Sequence, residues 1–264
     1  MNAPPELFPT AAIVLVTLAL ASVMEVVVPM VERPAAHRGR RAANLGLTAT
    51  TVVLNWALSA AAAGASLVMA GNGTGLMTEL GIPRASQIVV GFLLIDFAFG
   101  YVAHRLMHRS SMLWRVHRVH HSDPFVDATT TFRNHPVEGV WRWAWSLVPV
   151  LALGVPAEAV VLHRMITVLN GSLAHANIRL WPPLERVLSS VWVTPAMHKV
   201  HHSRERVETN SNFGAILAIH DRLFGTFTPT DRARGVVYGL DDMDPDRAAS
   251  LRELLAMPFR REAA

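Results

Sequence analysis

Three closely spaced groups of histidines are the part of this sequence best suited to chemistry. They are His104-Arg-Leu-Met-His108, His117-Arg-Val-His120-His121 and His198-Lys-Val-His201-His202. Spacings of three and four residues place side chains on one face of a helix, so each group can direct its imidazoles toward one point. Adjacent histidines such as His120 and His121 diverge by about 100° and can serve two neighbouring ions. The pattern predicts a centre with two metals, held by these eight histidines.

The composition supports a metal centre built from nitrogen ligands. The chain has 13 histidines and no cysteine among its 264 residues. This excludes a thiolate metal site, a disulfide framework and a cysteine nucleophile. The net charge of +4 comes almost wholly from arginine, since Lys199 is the only lysine. We infer no nucleic-acid partner from this charge.

Further segments accompany the histidines in a characteristic order. They are Asp96 and Tyr101, Arg133-Asn-His135-Pro136 with Glu138, His175-Ala-Asn177, Thr194-Pro195, Asn212-Phe-Gly214, and Asp221-Arg-Leu-Phe-Gly-Thr226. From about Asp96 to Thr226 the chain resembles the fatty acid hydroxylase and sterol desaturase superfamily of integral-membrane di-iron oxygenases. It departs from that family at His220, where a tryptophan is usual. It also has only His175 where members can carry a fuller additional histidine box.

The resemblance implies a cofactor and a reaction. Two iron ions would be bound by the eight histidines together with His175, and His135 is a possible further ligand. Zinc can occupy such a site in purified protein, because it binds most nitrogen sites more tightly than ferrous iron. Dioxygen is the implied co-substrate, and the implied reaction is hydroxylation of an unactivated C–H bond of a fatty acyl, sterol-like or related lipid from the bilayer. Desaturation begins with the same C–H cleavage and stays an alternative.

Electrons for such a reaction must come from another molecule. The sequence has no haem-attachment motif, no glycine-rich dinucleotide fingerprint and no cysteines for an iron-sulfur cluster. We therefore expect a separate reductase or small redox carrier as partner, docking on an arginine-rich face.

Two other classes of protein could use similar ligands. A zinc-dependent membrane hydrolase would need fewer histidines and a nearby general base. A metal transporter would place its ligands at mid-membrane in helices with inverted-repeat character, and no repeat is visible here. Both are more distant alternatives.

The elements that position these residues are predicted to be membrane helices. The chain is 51% hydrophobic and 17% charged, with a mean hydropathy of +0.29, which is too apolar for an ordinary soluble domain. Crossing a bilayer takes about 20 largely apolar residues. Segments of that kind run over about 9–31, 45–70 and 86–107. A fourth apolar region, 140–174, is interrupted at Gly154-Val155-Pro156 and predicts a hairpin of two shorter helices.

These elements form one all-α membrane-embedded catalytic domain covering residues 1–264. A helical cap over 108–138 and 177–228 is expected to carry the histidines. A polar tail over 229–264 is expected to end in a short amphipathic helix around Leu251 to Phe259.

Arginines in the first loop predict the orientation. Arg33, Arg38, Arg40 and Arg41 suggest that this loop is cytoplasmic, so the amino terminus would lie outside. The third helix then runs inward and ends with His104 and His108 at the cytoplasmic face. The expected location is a bacterial inner membrane, with the site facing the cytoplasm.

Two polar residues near the histidines are expected to support the ligands. Asp96 lies about 12 Å before His104 along a helix, at a depth where an unpaired carboxylate is costly. We expect it to orient an imidazole or to pair with Arg105 or Arg133. Asn177 is expected to play a similar supporting role. His163, beside Arg164 in a hairpin arm, is expected to be interfacial or solvated.

Overall fold

A computed structural model describes residues 7–33 and 39–260, and this part of the chain is helical. Its α-helices are α1 Leu7–Val27, α2 Arg40–Gly71, α3 Leu76–Glu79, α4 Arg84–Ile95, α5 Ala103–Arg109, α6 Ser111–His121, α7 Pro136–Leu153, α8 Ala157–His175, α9 Pro182–Leu188, α10 Pro195–His201, α11 Arg206–Thr209, α12 Ile219–Leu223, α13 Pro245–Ala248 and α14 Leu251–Ala256. No strand forms in the described residues beyond two isolated β-bridges, Pro29 with Ile178 and Trp192 with Leu217. The all-α class is confirmed.

The three predicted long helices are present with shifted ends. α1 stops at Val27 rather than near residue 31, because Pro29 disfavours helical geometry at the residue before it. α2 begins at Arg40, five residues earlier than expected. α4 and α5 continue through a π-helical segment, Asp96–Val102, as one helix that reaches the first histidine group.

Two helical segments are long and apolar enough to cross a membrane: Arg40–Glu79 and Arg84–Arg109. The apolar part of α1, Ala12–Val27, is shorter than that test requires. Large apolar side chains nevertheless point outward from all three, such as Leu15, Leu67 and Val89, each about 60% exposed. Such a surface suits lipid rather than water. A third crossing by α1 stays a prediction.

The predicted break is present: α7 and α8, of 18 and 19 residues, extend for about 27 Å each and are joined by the turn at Gly154-Val155-Pro156. The two arms of this hairpin pack on α2 and α4 rather than on each other. Its tip at Gly154 lies against Gly75, in the connection after α2. A Cβ atom on Gly75 would lie 2.9 Å from the Cα of Gly154. The hairpin therefore runs along the bundle as far as the end of α2 that lies away from the histidines.

The carboxyl-terminal segment packs on the bundle instead of projecting as a polar tail. The expected helix near its end is present, as α14 followed by a 3-10 turn at Met257–Phe259. Leu254 of α14 is fully buried in a cluster with Leu47 and Val119. α14 thus covers the junction of α2 and α6.

A buried polar network fixes α2 to the segment that follows α6. Arg40 donates hydrogen bonds of 3.0 Å to both carboxylate oxygens of Asp123 and also pairs with Asp127. Arg133 donates to Asn44 Oδ1 at 2.6 Å and to the Val119 carbonyl at 3.0 Å. Arg40, one of the arginines used to predict the orientation, therefore also has a structural role inside the protein.

Candidate metal centre

The fold brings all nine predicted ligand histidines together in two groups. The five-histidine group consists of His104, His108, His117, His121 and His201. The four-histidine group consists of His120, His175, His198 and His202. Within each group the candidate ligand nitrogens lie within 4.8 Å of one another. The adjacent pairs His120-His121 and His201-His202 are each divided between the two groups, because neighbouring side chains on a helix diverge.

Three short helices supply the five-histidine group. α5 and α6 each contribute two histidines four residues apart, and α10 contributes His201. The Nε2 atom of His117 lies 3.0 Å from Nε2 of His104 and 3.2 Å from Nε2 of His121. The imidazoles thus converge through one kind of nitrogen.

The four-histidine group joins the cap to the hairpin. His175 is the last residue of α8, and its Nε2 lies 3.0 Å from Nε2 of His120 and 2.9 Å from Nε2 of His198. His202, which caps α10, completes the group with its Nε2 at 3.2 Å from that of His198.

This arrangement fits two metal ions. Two nitrogens bound to one ion at about 2.1 Å lie about 3.0–3.4 Å apart, close to the spacings seen here. The buried Nε2 atoms of His108 and His201 have no hydrogen-bond partner among the described residues. Each is the kind of unpaired buried nitrogen that a metal would satisfy. A set of imidazoles alone suits iron, zinc, copper or nickel.

Hydrogen bonds at the opposite ring nitrogen orient several ligands. The Nδ1 atoms of His104, His201 and His175 each lie 2.7 Å from a backbone carbonyl, of Phe213, Ser211 and Gly171 respectively. A carbonyl only accepts, so Nδ1 carries the proton and Nε2 presents its lone pair to the group. His117 Nδ1 lies 3.0 Å from Glu138 Oε2. Glu138 also accepts a 3.0 Å hydrogen bond from Arg142 Nε.

Burial keeps six of the ligands in their neutral form. It lowers the pKa of His175 to about 4 and that of His201 to about 3, from an ordinary value of 6.5. The pKa values of His120, His121, His198 and His202 are also lowered well below that value by burial and by neighbouring imidazoles. Neutral imidazole is the form that binds metal.

Asp221 fixes the loop whose backbone orients the His104 ring. This carboxylate accepts hydrogen bonds from the amides of Phe213 at 2.7 Å and Gly214 at 2.8 Å. The Phe213 carbonyl then faces the His104 ring. The segments around residues 212–214 and 221–226, noted in the sequence without a role, thus act as a support for one ligand.

Asp96 lies outside the metal centre and contacts none of the nine ligands. It is fully buried, and its Oδ2 lies 3.1 Å from His220 Nε2 and accepts a 3.2 Å hydrogen bond from the Leu217 amide. Its Oδ1 lies 3.6 Å from His163 Nε2. It pairs with neither of the arginines expected, and the imidazoles it contacts belong to His220 and His163. The expectation that His163 is interfacial or solvated was wrong, because this side chain is buried between Phe92 and Phe99.

Asn177 and His135 also lie outside both groups. The Asn177 side chain donates a 2.8 Å hydrogen bond to the Val31 carbonyl and accepts one from the Val31 amide, which ties the end of α1 to the end of α8. His135 caps α7 by accepting a hydrogen bond from the Val137 amide, and its ring contacts Phe259.

Two cavities reach the histidines from opposite sides. The bundle cavity lies between the long helices and is lined by residues including Phe99, Val168, His120, His175 and His198. The cap cavity opens between the short helices and is lined by residues including His108, Trp114, His121, Arg204 and Asp241. The centre is thus reached from a cavity between the apolar helices, whose lining also includes Glu138, Arg142 and Arg164, and from a cavity among charged side chains of the cap.

This chain combines two buried histidine groups suited to metal ions with long apolar helices, which indicates a membrane metalloprotein. The fatty acid hydroxylase family matches residues 88–226, more than half of the chain, and this range contains all nine histidines. The chain belongs to this family.

Curated proteins are similar to more than half of the chain. Over 181 residues the chain is 33% identical to Ornithine lipid hydroxylase OlsE of Rhizobium tropici, covering 68% of this chain and 52% of the relative. It is 33% identical over 150 residues to Alkylglycerol monooxygenase of Homo sapiens, covering 56% and 32%. It is 29% identical over 155 residues to Very-long-chain aldehyde decarbonylase GL1-9 of Oryza sativa subsp. japonica, covering 58% of each. The chain therefore spans about half or less of the length of the first two. No solved structure matches it significantly.

Proposed function

We propose that this protein is a membrane-bound oxygenase that uses two iron ions, dioxygen and external electrons to hydroxylate a C–H bond of a lipid. The observation that carries the proposal is the convergence of nine imidazoles into two adjacent groups beside a cavity between apolar helices. Such irons, when bound, supply the reduction of dioxygen and the cleavage of an unactivated C–H bond.

The protein's own residues would hold and tune the metals. The carbonyls of Phe213, Ser211 and Gly171 fix three imidazoles with Nε2 toward the ions. Glu138 does the same for His117 and places a carboxylate next to it, which makes that imidazole a stronger donor. Nitrogen ligands leave the positive charge of the ions uncompensated. The Glu138 carboxylate beside His117 would offset part of that charge.

The bundle cavity suits the lipid. It lies between α2, α7 and α8, and glycines at 139 and 171 leave room beside the four-histidine group. The names of two relatives, Ornithine lipid hydroxylase and Alkylglycerol monooxygenase, support a lipid substrate and favour hydroxylation over desaturation.

The cap cavity suits the electron donor. Trp114 lies with its ring centroid 5.0 Å from that of His108 and 5.3 Å from that of His121. Four arginines line the cavity against two aspartates: Arg109, Arg118, Arg204 and Arg206 against Asp241 and Asp242. This excess of positive charge favours an acidic redox carrier. We place this cavity on the cytoplasmic side of a bacterial inner membrane, with the amino terminus outside.

The test is turnover in isotopically heavy dioxygen. Purified protein in lipid nanodiscs, loaded with iron and supplied with a chemical reductant, is incubated with candidate lipids, and the products are analysed by mass spectrometry. We expect one heavy oxygen atom in a hydroxylated lipid, and none from a His117→Ala variant. A double bond without oxygen incorporation would identify a desaturase. Lipid hydrolysis that needs no reductant would overturn the proposal in favour of a zinc hydrolase.

A further inference from the structure

A second pocket adjoins the bundle cavity on the side away from the histidines. This deep pocket lies between α2, α4, α7 and α8, and it shares Asn55, Phe99, Gly139 and Arg164 with the bundle cavity. The two cavities are therefore neighbours, and these four residues lie between them. Among the described residues that line the deep pocket there is no aspartate or glutamate.

Two of the polar groups in the deep pocket are hydrogen-bond donors without partners. The guanidinium of Arg164 makes no hydrogen bond or ion pair within residues 7–33 and 39–260. The indole Nε1 of Trp143 is buried and likewise has no partner there. Arginine and tryptophan side chains donate hydrogen bonds and cannot accept them. Asn55, from α2, adds an amide. A ligand for this pocket must therefore supply acceptors.

One face of α8 connects this pocket to the metal centre. Every side chain on that face from Arg164 to His175 lines the bundle cavity: Arg164, Thr167, Val168, Gly171, Ala174 and His175. These residues follow the helical repeat, and the eleven steps from Arg164 to His175 make about three turns. Arg164 and His175 therefore point in the same direction, about 16 Å apart along the helix axis.

An unpaired guanidinium between membrane helices is costly in free energy. Charged side chains inside membrane bundles pair with one another or mark the path of a substrate or ion. The usual protein solution, a carboxylate partner, is missing from the described residues around Arg164. Arg142, which is nearer the centre, has such a partner in Glu138. The difference between the two arginines points to a ligand that neutralises Arg164.

We propose that Arg164, Trp143 and Asn55 form a binding site for an anionic group of the substrate, a carboxylate or a phosphate. The chain of the substrate would then run along α8 to the four-histidine group, so the oxidised carbon lies about 16 Å from the anion. This inference rests on the proposed function and specifies its substrate class as an anionic amphiphile.

The test compares three ligands with the same alkyl chain: palmitate, hexadecyl phosphate and hexadecanol. Their binding to the protein in phosphatidylcholine nanodiscs is measured by scintillation proximity, which needs no turnover. We expect Arg164→Gln and Trp143→Phe each to weaken binding of at least one anion by about tenfold and to leave hexadecanol binding unchanged. Arg84→Gln is the matched control, since Arg84 pairs with Glu158 on the exposed end of the bundle. It should behave as wild type.

The outcomes separate the sources of the anion and the two proposals. If the substitutions weaken the binding of palmitate alone, the anionic group is a carboxylate. If they weaken the binding of hexadecyl phosphate alone, it is a phosphate head group. If Arg164→Gln loses its iron, the anion site is judged from Trp143→Phe, which keeps an aromatic side chain and removes only the indole N–H donor and part of the ring system. Equal loss of all three ligands, or no loss in either variant, overturns the anion site. Anion binding by protein that never consumes oxygen would contradict the proposed function but would still support the anion site.

Discussion

At the residue scale, the metal centre depends on nine imidazoles and on the groups that orient them. Histidine spacing alone pointed to eight of the nine imidazoles that converge, and the family resemblance added His175. Their supports were not predictable, because most are backbone carbonyls such as those of Phe213 and Ser211, which depend on tertiary structure. Spacing also could not separate His175, which joins a group, from His135, which caps a helix.

At the residue scale, Glu138 should control metal affinity. Glu138→Gln removes the charge that faces His117 Nδ1, and we expect metal affinity to fall by about 10- to 100-fold. Competition with a chelator of known affinity measures this. Glu158→Gln is the matched control, because Glu158 is an exposed glutamate paired with Arg84. Equal affinities in the two variants would contradict the role of Glu138.

The lowered pKa values of the ligands make the metal-free protein sensitive to acid. In the folded state His175 has a pKa of about 4 and His201 of about 3, against 6.5 for a free side chain. Between these values the unfolded chain binds more protons than the folded one, so the free energy of unfolding decreases as pH falls below 6.5. Denaturant titrations of metal-free protein at several pH values should show this decrease. A free energy of unfolding that stays constant from pH 6.5 to about 4 would contradict the buried neutral state.

At the scale of elements, hydropathy located the long helices, and local chemistry set their ends. Pro29 ends α1 early, and no hydropathy pattern could reveal that α14 packs back on α2 and α6. The hairpin was predicted from its Gly-Val-Pro break. The contact between the hairpin and the connection after α2 was not predicted, because this contact depends on how the bundle assembles.

Packing of the hairpin against α4 depends on Gly91. A Cβ atom there would lie 2.5 Å from Val155 Cγ1 and 3.2 Å from the Ala159 Cβ. We expect Gly91→Ala to destabilise the protein by about 1–3 kcal/mol, measured as thermal unfolding in detergent. The control is Gly64→Ala in α2, where nothing lies within 4 Å of the new atom. That change should be neutral or slightly stabilising. A Gly91→Ala variant as stable as Gly64→Ala would show that the helices do not pack as described.

At the scale of the whole molecule, the centre lies between a cavity enclosed by the long helices and a second cavity that opens among charged side chains of the cap. This asymmetry implies one fixed orientation in the membrane, and we propose that the cap faces the cytoplasm. The sequence suggested the orientation from arginines in the first loop. Arg40 is buried in an ion-pair network, so its presence in this loop has a structural reason besides orientation. The orientation therefore needs an independent test.

The absence of cysteine makes that test simple, because any cysteine introduced is the only one. Asn72→Cys lies in the exposed connection after α2, and Asp241→Cys lies at the rim of the cap cavity. In intact cells we expect a membrane-impermeant maleimide to label the first variant. The second should react only after lysis. The reverse pattern would invert the orientation.

The most direct test of the two-metal centre is the metal content of protein purified from iron-replete cells. His117→Ala removes a ligand from the five-histidine group, and His198→Ala removes one from the four-histidine group. We expect about two irons per chain in the wild type and a loss of iron in each variant. One zinc per chain that persists under iron repletion, or metal unaffected by either substitution, would rule out the two-iron centre.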